Sequence, residues 1–261
     1  MNTIEEKNAA FRRLLEVMDE LRAKCPWDKK QTFESLRANT IEETYELCDA
    51  IIKKDLNDIK KELGDVLLHI VFYSKIASEN EDFDIADVCN SLCDKLIFRH
   101  PHVFGDGAAK TAGEVEQTWE QIKQKEKDGN KSVLSGVPEA LPALIKSYRI
   151  QDKARNVGFD WEDRSQVWDK VKEELSEFQA EIDNQDAEKM EEEFGDLLFS
   201  MVNAARLYKI NPENALEKTN RKFIRRFNYI EEQTIKAGKN LKDLTLAEMD
   251  ELWNEAKRSS L

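Results

Sequence analysis

Cysteine, proline, glycine and histidine are all scarce in this chain, at 4, 5, 9 and 3 of 261 residues. So few glycines and prolines argue against an all-β protein, which needs many tight turns. The four cysteines (25, 48, 89 and 93) form no Cys-x-x-Cys pair, which suits a reducing compartment with thiols serving as small core residues. Cys89 and Cys93 lie one helical turn apart, but two more ligands for zinc are missing nearby. No apolar run approaches a membrane span, and the first residues carry no signal-peptide core. The expectation is a cytoplasmic protein without a membrane partner. Excess positive charge is also missing: 40 Lys and Arg face 53 Asp and Glu, a net charge of −13, which disfavours nucleic-acid binding. Phosphate-binding loops, dinucleotide-binding glycine motifs and nucleophile elbows are absent.

What is present is acid, in a repeated register. Glu42-Glu43-Thr44-Tyr45-Glu46 is followed by Glu62-Leu63-Gly64-Asp65, and Glu173-Glu174-Leu175-Ser176-Glu177 by Glu193-Phe194-Gly195-Asp196. All five acidic positions recur at an offset of 131 residues. Residues three or four apart share a helix face, so Glu43 projects with Glu46 and Glu62 with Asp65. Lys53-Lys54-Asp55-Leu56 and Asp183-Asn184-Gln185-Asp186 are polar breaks suited to helix–helix turns. Both clusters lie about eight residues from the break, or ~12 Å of helix rise, so an αα-hairpin brings four carboxylates to one height. Such a set needs a cation to offset its repulsion, and hard oxygen ligands suit Mg²⁺ or Mn²⁺. Di-iron bundles place a histidine in Glu-x-x-His, whereas the position here is Asp65 or Asp196. Both acids sit in apolar sequence, which predicts partial burial. Gly64 and Gly195 predict close approach of another backbone or a ligand.

The repeat extends beyond the acids. Thr111-Ala112-Gly113-Glu114 and Thr245-Leu246-Ala247-Glu248 read as capping boxes, as does Thr40 with Glu43. Lys95 to Arg99 aligns with Lys222 to Arg226. Phe11, Leu14, Leu15, Met18 and Leu21 form an apolar stripe that Pro26 ends. The fold expected is all-α: a tandem repeat of two four- to five-helix units, each holding one metal-binding αα-hairpin. Repeat 1 spans 1–127, a linker 128–140, and repeat 2 141–261. Apolar faces such as Val66, Leu67, Ile70 and Val71, or Leu197, Leu198, Met201 and Val202, exceed what so small a unit buries alone, which predicts a homodimer.

Cations complete a polyphosphate site. Lys222 and Arg226 share one helix face, and Trp253 and Lys257 another. Lys170 and Lys189 lie one turn before Glu174 and Glu193. Metal with several cations beside carboxylates is an arrangement for phosphate oxygens, and Trp253 reads either as a stacking platform or as core.

Glu-Glu-x-x-Glu followed by Glu-x-x-Asp resembles the signature of the all-α nucleoside triphosphate pyrophosphohydrolases. Cys25-Pro26-Trp27-Asp28, Arg99-His100-Pro101-His102-Val103-Phe104 and Val157-Gly158-Phe159-Asp160-Trp161 look like its two-domain MazG family. The resemblance implies Mg²⁺-dependent hydrolysis of nucleoside triphosphates to monophosphate and pyrophosphate by a homodimer. It implies metal ligands Glu174, Glu177, Glu193 and Asp196, and triphosphate contacts Lys170, Lys189, Lys222, Arg226, Trp253 and Lys257. Repeat 1 offers Glu43, Glu46, Glu62 and Asp65 with Lys95, Arg99, Trp119 and Lys123. Asn39 and Asp58, however, replace the counterparts of Lys170 and Lys189, so catalysis is expected mainly in repeat 2. Glu173 and Glu42 are candidate bases for water activation. The rival reading is a nucleotide- or metal-sensing scaffold without turnover.

Overall fold

The computed structural model describes residues 1–105, 122, 132–161 and 163–259, and every regular element among them is helical. The chain divides into two compact units, Met1–Thr111 and Ala112–Leu261. Among the described residues no helix is long and apolar enough to cross a membrane.

In the first unit α1 (Ile4–Lys24) starts from a Thr3/Glu6 capping box and ends before Pro26, whose ring disfavours helix at the residue preceding it. Its Phe11, Leu14, Leu15 and Met18 pack on Val71, Phe72 and Ile76 of α3. Full burial of side chains such as Val71 and Phe72 stabilises the unit by ~1.5–3 kcal/mol each. Leu21, expected in this stripe, stays 37% exposed. Arg22 fastens the corner beyond: its Nε donates to Glu79 Oε1 at 3.0 Å, and it also donates to the Asp28 carbonyl of a short 3-10 turn. Helices α2 (Phe33–Lys53) and α3 (Leu56–Glu79) form the expected antiparallel hairpin. Lys54, in the left-handed region at φ 58°, closes α2, and the Asp55 side chain caps α3. Helix α4 (Ile85–Arg99) packs on α3, and α5 is the short turn Pro101–Phe104.

The second unit repeats the plan. Residues 132–140 are turns and bends, tied to α6 (Ala143–Arg155) where Lys153 Nζ donates to the Val133 carbonyl at 3.3 Å. The hairpin is α7 (Gln166–Asn184) and α8 (Ala187–Leu207), again with a left-handed residue, Gln185 at φ 58°, and an Asp186 cap. Helix α9 (Pro212–Lys236) packs on α6, α8 and α10 (Leu246–Arg258), and α10 opens with the expected Thr245/Glu248 box. Val167, Val171 and Ala204 form its buried core cluster.

Several expectations need correction. Thr40 does not start a helix. α2 begins seven residues earlier from a Thr32/Ser35 box, and the Thr40 hydroxyl instead lies 3.0 Å from the Leu36 carbonyl it donates to. Cys48, Cys89 and Cys93 are exposed rather than core residues, and all four described thiols are free. Beyond its own helix backbone, a Cβ built on Gly64 or Gly195 meets no atom within 4 Å, so no close approach among the described residues accounts for these glycines. The Thr111–Glu114 box, Trp119, Lys123 and the start of the 128–140 linker lie outside the described residues.

Candidate metal and phosphate site

Each hairpin brings its acids together. In the first unit Glu43 of α2 and Glu62 and Asp65 of α3 place carboxylate oxygens within 4.8 Å of one another. In the second, Glu174 and Glu177 of α7 and Glu193 of α8 do the same. The fourth expected members, Glu46 and Asp196, stand outside these triads but still act on them. Asp196 is among the charges that raise Glu193, and Glu46 is among those that raise Glu43. Asp65 is half-buried as expected, whereas Asp196 is exposed, and the deepest carboxylates are Glu62 and Glu174, each 6% exposed.

The electrostatics are those of crowded anions. The Glu193 carboxyl is held above its usual range, first by lost solvation and then by Glu177, Asp196 and Glu174. Glu177 is raised by the same loss and by Glu174 and Glu173, against Lys170. Glu43 is raised by lost solvation and by Asp65, Glu46 and Glu62. Glu62 Oε2 is buried with no hydrogen-bond partner among the described residues. An acceptor-only oxygen left in this way is a free ligand position, so the donor set fits a hard divalent cation.

A lysine reaches into each cluster. Lys170 Nζ lies 2.7 Å from Glu174 and 2.9 Å from Glu173, and these bonds raise its pKa well above the usual lysine value. In the first unit Lys61 bridges Glu62 at 2.8 Å, Asp65 at 3.8 Å and Glu46 at 4.0 Å. Sequence reasoning missed Lys61, although it stands where the second unit has Glu192.

Beside the second cluster lies a cavity of about 690 Å³, whose wall includes Lys170, Glu174 and Asp196 together with Gln151, Trp161 and Asn203. Arg206, 4% exposed at its side chain, pairs with Asp160 and donates to Asn203 Oδ1 at 3.1 and 2.8 Å. Burial alone would raise the Asp160 carboxyl, but hydrogen bonds from Arg206 and the Trp161 N–H, with the Arg206 and Arg155 charges, hold it below its usual value. This pair clamps the Gly158–Trp161 loop, where Gly158 takes φ +90°, onto α8. The loop had been singled out only through family resemblance, and nothing in its local pattern announces Arg206, 46 residues away.

The remaining expected phosphate contacts are dispersed. The Arg226 guanidinium lies 5.4 Å over the Trp253 ring and Phe223 packs 5.1 Å from it, so Trp253 serves as a half-buried platform between α9 and α10. Lys222 and Lys257 are exposed on those helices, and Lys189 is exposed at the start of α8. None of these five lines the cavity. Glu173 is exposed and paired with Lys170, Glu42 is exposed, and of the first-unit cations Lys95 is exposed and Arg99 half-buried.

The model of the MazG nucleotide pyrophosphohydrolase domain matches residues 31–104 and 164–230, one stretch in each unit. The nucleoside triphosphate pyrophosphohydrolase of Escherichia coli (strain K12) is 44% identical over 256 residues, covering 95% of this chain and 97% of that protein. The nucleoside triphosphate pyrophosphohydrolase/pyrophosphatase MazG of Thermotoga maritima is 46% identical over 257 residues, covering 97% and 98%. A solved mazG-related protein of Thermotoga maritima aligns with 44% of this chain at 28% identity and a TM-score of 0.39. With both hairpins inside matched segments and relatives spanning its length, this chain belongs to the MazG nucleotide pyrophosphohydrolase family.

Proposed function

We propose that this chain is an acid-anhydride hydrolase that converts nucleoside triphosphates to monophosphates and pyrophosphate, chiefly in its second unit and with Mg²⁺. The observation that carries the reading is the Glu174–Glu177–Glu193 cluster, set beside a cavity whose wall holds Lys170. Glu174, Glu177, Glu193 and Asp196 hold the cation. When bound, Mg²⁺ neutralises phosphate charge and makes a nearby water more acidic. Lys170 exchanges its carboxylate partners for phosphate oxygens, and Glu173, freed from Lys170, accepts the water's proton. Lys189, Lys222, Arg226 and Lys257 take the outer phosphates, with Trp253 supporting Arg226. Mn²⁺ serves in place of Mg²⁺, since both prefer oxygen ligands.

The division into repeats 1–127 and 141–261 around a 128–140 linker belongs to the same reading, as does a homodimer in the cytoplasm. Leu63, Leu67 and Ile70 on α3, and Phe194, Leu198 and Met201 on α8, form matched apolar stripes, each residue at least 36% exposed. Such stripes support helix pairing with a second copy. Chelator should abolish turnover, Mg²⁺ or Mn²⁺ should restore it, and the product paired with monophosphate should be pyrophosphate. Orthophosphate as the primary product would refute attack at the α-phosphorus, and binding without any turnover would favour a sensing scaffold.

A further inference from the structure

The acidic cluster of the first unit already holds a cation of the chain's own. Lys61 Nζ donates to Glu62 Oε1 at 2.8 Å. It also lies 3.8 Å from Asp65 on the same helix and 4.0 Å from Glu46 across the hairpin on α2. Glu46, Glu62 and Asp65, members of the expected ligand set from both helices, thus converge on one ammonium. Residues 131 apart hold the same place in the two hairpins, and Glu192 stands where Lys61 does.

The lysine of the second unit acts differently. Its ion pairs among the described residues, with Glu174 at 2.7 Å and Glu173 at 2.9 Å, both stay on α7. Glu174 alone of these two belongs to the expected ligand set. Lys170 therefore holds one edge of its cluster, whereas Lys61 spans the hairpin as a bound ion would.

Neutralisation by Lys61 is incomplete. Glu62 is 6% exposed, and its Oε2 keeps no hydrogen-bond partner among the described residues. That oxygen is an acceptor that a metal ion suits as well as a donor does. The Lys61 side chain is itself 63% exposed, so it can turn into solvent without losing packing. An ammonium and a divalent ion repel each other at such distances, so the two cannot share the cluster. We propose that Lys61 is a tethered counter-ion that competes with a divalent cation for the first unit's acids. The first hairpin is then neutralised from within, while the second, with Glu192 in that place, draws the ion. This rests on reading the acids as cation ligands, and metal binding is measurable without turnover.

The test counts bound Mn²⁺ by electron paramagnetic resonance on full-length protein without nucleotide. Glu193→Gln weakens the second unit's set, so the binding that remains reports the first. In that background Lys61→Gln should tighten Mn²⁺ binding about fivefold, the scale of one exposed ion pair. Lys61→Glu, which imports the second unit's residue, should tighten it about tenfold or more. Adding Glu62→Gln should remove either gain. Lys60→Gln deletes the same charge one residue away, outside the cluster's ion pairs, and should change the affinity less than about twofold. Circular dichroism checks folding of each variant. Affinities within about twofold of the parent in both Lys61 variants would overturn the proposal, as would equal tightening by Lys60→Gln. Wild type that binds no Mn²⁺ at all would overturn it together with the reading of the acids as ligands.

Discussion

Asp160 and Arg206 show how one ion pair shapes a wall. Arg206 is nearly sealed from solvent at 4% side-chain exposure, and Asp160 keeps 20%. Removing one partner of a buried pair leaves the other charge uncompensated. Asp160→Asn should therefore cost ~3 kcal/mol, near the low end for buried pairs because Asp160 is partly solvated. The pH dependence follows from the depressed folded value. The pair's contribution is complete above the ordinary Asp value of 3.8 and is lost as pH falls through the lower folded one. Urea unfolding should show a clear gap between wild type and Asp160→Asn at pH 7 that closes only under strong acid. A gap already closed at pH 5 would mean that the pair does not clamp the loop.

The hairpins were largely legible at the scale of elements. The polar breaks at Lys53–Leu56 and Asp183–Asp186 marked the turns and Pro26 an end, and the structure adds that Asp55 and Asp186 cap the second helix of each hairpin. Thr40 misled because Thr-x-x-Glu is equally available inside a helix, where its hydroxyl turned to the Leu36 carbonyl and His69. The cavity was not legible, because an empty space depends on what several segments far apart in sequence leave unfilled. Both turns use a non-glycine residue at φ 58°, a conformation that costs ordinary residues ~1 kcal/mol or more. Gln185→Gly should relieve this strain and raise stability by up to ~1 kcal/mol, less the added freedom of the unfolded chain. A higher melting temperature with unchanged helical signal would be the expected result, and a lower one would show that Gln185 makes contacts outweighing its strain.

For the whole molecule, the repeat in sequence points to two candidate sites, and residue differences bear on our proposal that the second does most of the work. The first unit lacks the counterparts of Lys170 and Lys189, carrying Asn39 and Asp58, and each lost charge-assisted phosphate contact removes ~1.5–3 kcal/mol. Glu193→Gln should nearly abolish nucleoside triphosphate hydrolysis, while Glu62→Gln should leave most of it, with circular dichroism unchanged in both. The reverse outcome would move the working site to the first unit. Light scattering at micromolar concentration should give twice the chain mass. A monomer mass would leave the two matched stripes without their proposed covering.

The two left-handed turns also set a rotational phase. Offsets between the repeats drift from 127 to 134 elsewhere, yet hold at 131 from Glu42/Glu173 through Asp65/Asp196. Each added residue advances a helix by about 100°. A single insertion between Glu46 and Glu62, or between Glu177 and Glu193, would swing one pair of acids around its axis, away from the other. The length of each hairpin turn therefore times its two helices against each other.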